Sequence, residues 1–189
     1  MAVYTQLGAE RLAALIAEFD VGELRSAKGI AEGVSNSNWL IETSGTDGQG
    51  ARFILTMYEF RIDITELPFF LGLLDHLAAG NCPVPRTIHD RSGAAFRMID
   101  GKAVALIEYL SGVSASIPNA GQAQAVGRAL AQIHLAAADF TQARNNGMGP
   151  AEWQRLAAEC QPGGLAEIDP DLPALVIDQL DEIVANWPH

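Results

Sequence analysis

The sequence predicts an α+β protein in which an antiparallel sheet with one packed helix precedes a helical region. Up to about residue 110, short β-prone segments alternate with turn residues. Residues 65–79 repeat apolar side chains at helical spacing, and helical periodicity dominates after Ser111. We therefore divide the chain into a sheet-rich lobe, residues 1–110, and a helical lobe, residues 111–189.

The first elements are a short helix and a three-stranded meander. Residues 9–19 place four apolar side chains at helical spacing, and Gly22 is a plausible helix stop. These apolar positions are Leu12, Leu15, Ile16 and Phe19. Strands are predicted over residues 26–30, 37–43 and 52–58. The sequence Thr46-Asp47-Gly48 is typical of the turn between the last two.

A second helix and two or three further strands complete the sheet-rich lobe. Residues 65–79 predict a helix with Thr65 as its N-cap and one broad apolar face, suited to packing on a sheet. Short strands are then predicted over residues 86–90, 94–100 and 102–110, separated by the turn residues Arg91-Ser92-Gly93 and Asp100-Gly101.

The helical lobe is predicted to contain three helices. Asn119 can cap the first, which runs to about residue 138 with an apolar stripe. That stripe consists of Val126, Leu130, Ile133 and Ala137. A short helix surrounds Trp153, Pro162-Gly163-Gly164 predicts a loop, and a last helix covers residues 171–186.

Composition excludes several functions. The chain has 189 residues and a formal net charge of -11, and such an acidic surface repels nucleic acid. The longest uncharged apolar stretch, residues 67–74, is too short to span a membrane, so we expect a soluble, cytoplasmic protein. Cys82 and Cys160 lack metal-ligand spacing and are expected to be free, buried thiols.

One stretch, GIAEGVSNSNWLIET at residues 29–43, allows two interpretations. It is either a hairpin whose Asn and Ser side chains bond their own backbone, or a loop whose amide groups hold a phosphate. Gly33 permits a positive φ, and Asn36 and Asn38 fall on the same side of an extended segment. Neither GxGxxG nor GxxxxGK[ST] occurs in the chain, so spacing alone leaves both interpretations open.

The order of elements favours the second interpretation. A small-residue hairpin, a third strand, a helix, more strands and a short linker into helices is the order found in the ATP-holding lobe of kinase-like phosphotransferases. There the hairpin loop lies over the phosphates and the linker backbone bonds the adenine. The linker would be residues 108–112.

Four segments resemble a known family. EGVSNSNWLIET, RFILTMYE, ELPFFLGLLDHLAAGNCPVPRTIHDRSG and ALAQIHLAAADF are similar to the homoserine kinases that share the aminoglycoside phosphotransferase, protein-kinase-like fold. The resemblance implies phosphorylation of the side-chain hydroxyl of L-homoserine by ATP with Mg²⁺, a step toward threonine. Other small-alcohol kinases of this fold, such as aminoglycoside or choline kinases, are the alternative.

The resemblance also implies a nucleotide site. Its residues would be Gly33, Val34, Ser35, Asn36, Ser37, Asn38, Thr56, Glu108, Tyr109 and Leu110. Thr56 stands where protein kinases place a phosphate-binding lysine. Phosphate neutralisation would therefore rest on Lys28, on Arg52 or Arg61, or on metal alone. The partner carboxylate on the packed helix is equally open between Glu66 and Asp75.

No catalytic or metal-binding residue is assigned in the chain. Neither an HxDxxxxN loop nor a DFG-like segment is present, and Asp139-Phe140 fits helix packing better than metal binding. His134 is expected to be buried and hydrogen-bonded. These 189 residues are therefore expected to be the inactive front portion of a kinase, or else a non-catalytic nucleotide-binding or interaction module.

Overall fold

A computed structural model describes residues 5–31, 35–59, 63–160 and 163–187. Contacts between α-carbons group the chain into two units, Met1–Gln142 and Ala143–His189. The first unit holds the sheet together with three helices, and the second is helical. The predicted division into a sheet-rich lobe and a helical lobe at residue 110 concerns function, and these contacts do not test it. It stays a prediction.

Six antiparallel strands form the sheet of the first unit. They are β1 (Leu24–Ile30), β2 (Asn36–Thr43), β3 (Ala51–Tyr58), β4 (Thr87–Ile88), β5 (Arg97–Ile99) and β6 (Lys102–Glu108). Their order is β1-β2-β3-β6-β4, and β5 pairs with β6. The predicted meander of β1, β2 and β3 is confirmed.

Helix α1 (Ala9–Ile16) covers one side of the sheet, which we call the core face. Inward-pointing residues of β2, β3 and β6 alternate along each strand and pack against this helix and the segment after it. The buried cluster contains Leu12, Leu15, Ile16, Phe19, Val21, Trp39, Ile41, Leu55, Met57, Val104 and Leu106. The predicted helix ends earlier than expected, and Phe19 reaches the core from beyond it.

Helix α2 (Leu67–Ala79) contacts the opposite side of the sheet near β4. The Thr87 hydroxyl donates to Leu71 O at 3.4 Å, and Thr87 pairs with Ile107 across the sheet. The predicted Thr65 cap is wrong. A 3-10 turn over Ile64–Glu66 precedes the helix, and the Asp63 carboxylate accepts the Thr65 N–H at 2.9 Å.

Helix α3 (Ala120–Ala136) begins with the predicted Asn119 cap. Asn119 and Gln122 form a reciprocal capping box. The predicted apolar stripe is only partly covered, since Val126 and Leu130 are 59% and 50% exposed. His134 is exposed, so the prediction that it is buried is wrong.

Three helices form the second unit: α4 (Pro150–Glu159), α5 (Gly164–Ile168) and α6 (Leu172–Ala185). The Trp153 and Trp187 rings pack edge to face with centroids 5.5 Å apart. The loop predicted at residues 162–164 is corrected in part, because α5 starts at Gly164. In the described ranges, no helix is long and apolar enough to cross a membrane.

Both cysteines are free, as predicted. Cys82 is buried, and its Sγ lies 3.8 Å from Gln132 O. Cys160 is exposed, so its predicted burial is wrong. Cys160 follows the last turn of α4. The spacing of apolar residues along a helix does not predict the exposure of a residue beyond its end.

Candidate functional site

The side of the sheet opposite α1 carries the predicted amide side chains, and we call it the amide face. Directly paired residues of antiparallel strands point to the same side. One row across the sheet is therefore Ile30–Asn38–Thr56–Ala105, and the next is Lys28–Leu40–Ile54–Ile107. A third row begins with Asn36 and Tyr58. The prediction that Asn36 and Asn38 share one side is confirmed.

The two complete rows differ in chemistry. Leu40, Ile54 and Ile107 form a half-buried apolar strip. The neighbouring residues of the same strands that point to the core face are, by contrast, fully buried. The neighbouring row is polar at its centre because of Asn38 and Thr56. Rows two residues apart are about 7 Å apart along the strand. A flat apolar group could lie on the first row while a polar extension reaches the second.

The polar row holds a defined hydrogen bond. Thr56 Oγ1 donates to Asn38 Oδ1 at 2.8 Å. This bond fixes the Asn38 amide so that its Nδ2 group, a double donor, is directed away from Thr56. Thr56 carries no charge that could neutralise a phosphate. Its hydroxyl instead orients the Asn38 amide, whose Nδ2 group can donate a hydrogen bond.

The Asn36 side chain contains a buried oxygen atom without a hydrogen-bond partner among the described residues. Its Oδ1 is inaccessible to solvent and has no hydrogen-bond partner within the described ranges. A buried polar atom left unpaired costs about 1–3 kcal/mol, and such groups are uncommon in native proteins. The unpaired atom is an acceptor, so only a donor such as a water or an N–H group could satisfy it, whereas the Nδ2 of the same amide is the group that can donate to an anion.

Ser37 points the other way. Its side chain is fully buried on the core face, where the hydroxyl donates to Glu59 Oε1 at 2.6 Å. The structure therefore does not bring the Ser37 hydroxyl to the amide face beside Asn36 and Asn38. Ser35 lies in the bend before β2, and the predicted residues Gly33 and Val34 lie outside the described residues.

The predicted linker begins at the end of β6. Glu108 pairs with Phe53, and its carboxylate accepts two bonds of 3.2 Å from the Arg86 guanidinium. The hydrogen bond from Arg86 lowers the pKa of Glu108. The Glu108 carboxylate is thus committed to Arg86, and its backbone N–H also donates to Arg86 O at 2.9 Å. Leu110 is about half exposed, next to the apolar row that ends at Ile107.

The basic residues near the amide face have different surroundings. Lys28 lies on exposed β1 in the apolar row, and no ion pair engages it among the described residues. The Arg52 guanidinium lies 4.8 Å from the centroid of the Tyr109 ring. Lys102 is ion-paired with Glu59. Arg61 lies outside the described residues. Lys28 is therefore a cation of this face that no described residue engages in an ion pair.

Comparison with known proteins identifies the family of the chain. Residues 26–189 match the phosphotransferase enzyme family. The chain belongs to this family. The match includes the strand rows of the amide face described above and all of the second unit, and helix α1 precedes it.

Curated relatives of this phosphotransferase carry a consistent name. Homoserine kinases of Paramagnetospirillum magneticum and Nitrobacter winogradskyi are each 43% identical to it over 100% of this chain and 56% of their own length. The homoserine kinase of Granulibacter bethesdensis is 41% identical over 100% of this chain and 57% of its own. The chain thus spans somewhat more than half the length of these relatives.

A solved structure supports the predicted fold. Spectinomycin phosphotransferase, crystallised with ADP and spectinomycin, superposes with a TM-score of 0.61 at 13% identity. The match covers 82% of this chain and 47% of that one. The predicted kinase-like α+β architecture is therefore confirmed for this chain.

In the part of the chain that the structure describes, no group of three or more His, Cys, Asp or Glu side chains is placed to hold a metal ion. Phe140 packs on Phe69 and His76, with ring centroids 5.6 and 5.3 Å away, as expected for a packing role. Asp139 Oδ1 lies 2.9 Å from His76 Nε2. Asp75 contacts His89 at 2.7 Å, so this carboxylate of α2 is engaged with the β4 side of the sheet.

Proposed function

We propose that the whole protein is an ATP-dependent kinase that phosphorylates the side-chain hydroxyl of L-homoserine. The observation that carries the proposal is the 43% identity to homoserine kinases along the entire chain. Membership of the phosphotransferase family independently supports transfer of a phosphoryl group. An enzyme that uses ATP and a free amino acid would meet both in the cytoplasm.

The amide face supports a specific orientation of ATP. The adenine would lie on the apolar row of Leu40, Ile54 and Ile107, beside the linker backbone after Glu108. The triphosphate would extend toward the row of Asn38 and Thr56, where amide N–H groups can donate to its oxygens. In this arrangement an apolar surface holds the base and fixed dipoles hold the anion.

Lys28 is our choice for the residue that neutralises the phosphates. Its strand position places it on the same face as Asn38 and Thr56, one row away. A lysine stem is long and flexible, so the ammonium group can reach the adjacent row. Arg52 is occupied by Tyr109 and lies one row farther from the polar centre.

Magnesium is part of the proposed reaction, since phosphoryl transfer from ATP uses metal to neutralise developing charge. The described residues contain no cluster of three or more His, Cys, Asp or Glu side chains that could hold it. We therefore assign no magnesium ligand in this chain and derive no step from the metal.

The acceptor can be tested directly with the whole protein. Incubation with Mg-ATP and L-homoserine should produce ADP and a product heavier by one phosphoryl group, detected by mass spectrometry. Choline and spectinomycin, supplied separately, should give no product above the ATPase background. Phosphorylation of either compound in place of homoserine would support the small-alcohol kinase alternative. Binding of ATP without any transfer would support a non-catalytic module.

Replacement of Lys28 tests the assignment of the cation. We expect Lys28→Met in the whole protein to raise the KM for ATP about tenfold, because one charge-assisted phosphate contact is lost. The KM for homoserine should change less than twofold. Arg25→Met is the matched control, since it removes one positive charge from the same strand. Equal effects of the two variants on the ATP KM would contradict the assignment.

A further inference from the structure

A buried acidic residue lies behind the amide face. The Glu59 side chain is 0% exposed and immediately follows β3. Its two carboxylate oxygens accept four donors: Ser37 Oγ at 2.6 Å, Thr5 N at 3.1 Å, Thr5 Oγ1 at 2.9 Å, and Lys102 Nζ. Lys102 also donates to Thr5 Oγ1 at 2.6 Å. We call these four residues the Glu59 cluster.

The cluster ties together three parts of the fold that are distant in sequence. Strand periodicity places Ser37, Met57 and Glu59 on the core face, along with Lys102 and Val104 of β6. The cluster thus closes the end of the hydrophobic core, and its four donors fill the acceptor capacity of the carboxylate. A fully satisfied buried network of this kind holds its members in one arrangement.

The position of Ser37 gives the cluster a further consequence. Ser37 stands between Asn36 and Asn38, whose side chains point to the amide face. Anchoring Ser37 from behind restricts the backbone on both sides of it and so restricts the directions of the two amides. We propose that Glu59 is a positioning residue for nucleotide phosphates, acting through Ser37 on Asn36 and Asn38. This inference rests on the proposed ATP site.

An alternative role for the cluster is stability alone. The two roles differ in what they predict for ligand binding, because a purely structural network would lower stability without a selective effect on ATP. Positioning predicts a loss confined to the nucleotide, since a displacement of reacting or binding groups by a fraction of an ångström weakens their contacts.

The test compares two conservative replacements in β2 of the whole protein. Ser37→Ala removes the hydroxyl that bonds Glu59. Thr43→Val removes a hydroxyl that is equally buried on the same strand and face but donates to Val21 O at 2.5 Å, far from Asn36. Each replacement removes a buried hydroxyl that both donates and accepts: Ser37 also accepts from the Thr5 N–H, and Thr43 also accepts from the Gly45 N–H. Both variants should therefore lose stability. Only Ser37→Ala should raise the KM for ATP, by about tenfold, with the KM for homoserine within twofold of wild type.

Direct ATP binding, measured by calorimetry, separates the two levels of the proposal. If the wild type binds ATP and Ser37→Ala retains its affinity within twofold, or if Thr43→Val weakens binding as much, the positioning role is overturned. If the wild type binds ATP but phosphorylates an acceptor other than homoserine, the selective loss in Ser37→Ala still supports positioning. Absence of ATP binding by the wild type would overturn the inference together with the proposed function.

Ser37→Cys is a second variant that keeps a weak donor. Its affinity for ATP should lie between those of the wild type and Ser37→Ala, and it replaces Ser37→Ala in the test if that variant does not fold.

Discussion

We expect Gly22→Ala to destabilise the first unit by about 3 kcal/mol, through two separate effects. Gly22 has φ +85°, a region in which a residue with a Cβ is strained by about 1–2 kcal/mol. A Cβ at this position would also lie 2.5 Å from Gly45 O and 2.8 Å from Gly45 N. These are backbone atoms of the β2–β3 connection, which is held by the bond from Gly50 N to Ser44 O at 2.8 Å. They cannot move away without disturbing the sheet.

Gly48→Ala is the control that separates strain from steric contact. Gly48 has φ +78° in the same β2–β3 connection, but a Cβ there would meet nothing within 4 Å. We expect this variant to lose only about 1 kcal/mol. Urea unfolding gives the two losses, and hydrogen exchange of peptides between residues 5 and 58 assigns them to the first unit. Equal losses would show that the contact with Gly45 is relieved without cost.

The sheet and the amide face could be predicted because both depend on short-range patterns. A strand alternates sides with a period of two residues, so the spacing of Asn36 and Asn38 determines that they share a side. The same alternation directs the Ser37 side chain, one residue away, to the opposite side. Ser37 stays a predicted nucleotide-binding residue, and any contact that it makes on the amide face would come from its backbone.

The Glu59 cluster could not be predicted from the same patterns. Its members are separated by as many as 97 residues, the distance along the chain between Thr5 and Lys102. Nothing local to Glu59 distinguishes it from an exposed glutamate at a strand end. The only available signal was its position two residues after the inward-pointing Met57, which places an acidic side chain where the core should continue.

Helix α3 illustrates a third limit. Amphipathic spacing predicted the helix and its cap correctly, since both are local properties. The same spacing predicts an apolar stripe, and within it Leu130 is half exposed. A helical period identifies the apolar face of a helix and does not identify what covers it. The exposure of His134 follows from the same limit.

Lys102→Met should be the more damaging of the two replacements that break the buried ion pair. Glu59 is fully buried, whereas the Lys102 side chain is 33% exposed. Removing the lysine leaves a carboxylate inside the protein with only neutral donors from Ser37 and Thr5. Removing the charge by Glu59→Gln leaves an ammonium group that can turn toward water. We expect losses of about 3 kcal/mol for Lys102→Met and about half that for Glu59→Gln at neutral pH.

The pH dependence of stability provides the decisive measurement for this pair. Burial acts to raise the pKa of Glu59, but the hydrogen bonds from Lys102, Ser37 and Thr5 outweigh it, and the pKa lies below its usual value. In the wild type this group therefore stabilises the fold above the usual glutamate pKa of about 4.3 and loses that contribution as the pH falls through the lowered value.

In Lys102→Met the main opposing cause is absent, so burial should raise the pKa of Glu59 above its usual value. The folded variant then gains protons more readily than the unfolded chain, and its deficit relative to wild type should shrink as the pH falls from 7 toward 4. Urea unfolding across this range measures the deficit, and the double variant Glu59→Gln/Lys102→Met, which has no buried charge, should recover part of it at pH 7. A deficit that stays constant with pH, or a larger loss in Glu59→Gln than in Lys102→Met, would mean that Glu59 is not an ionised group dependent on Lys102.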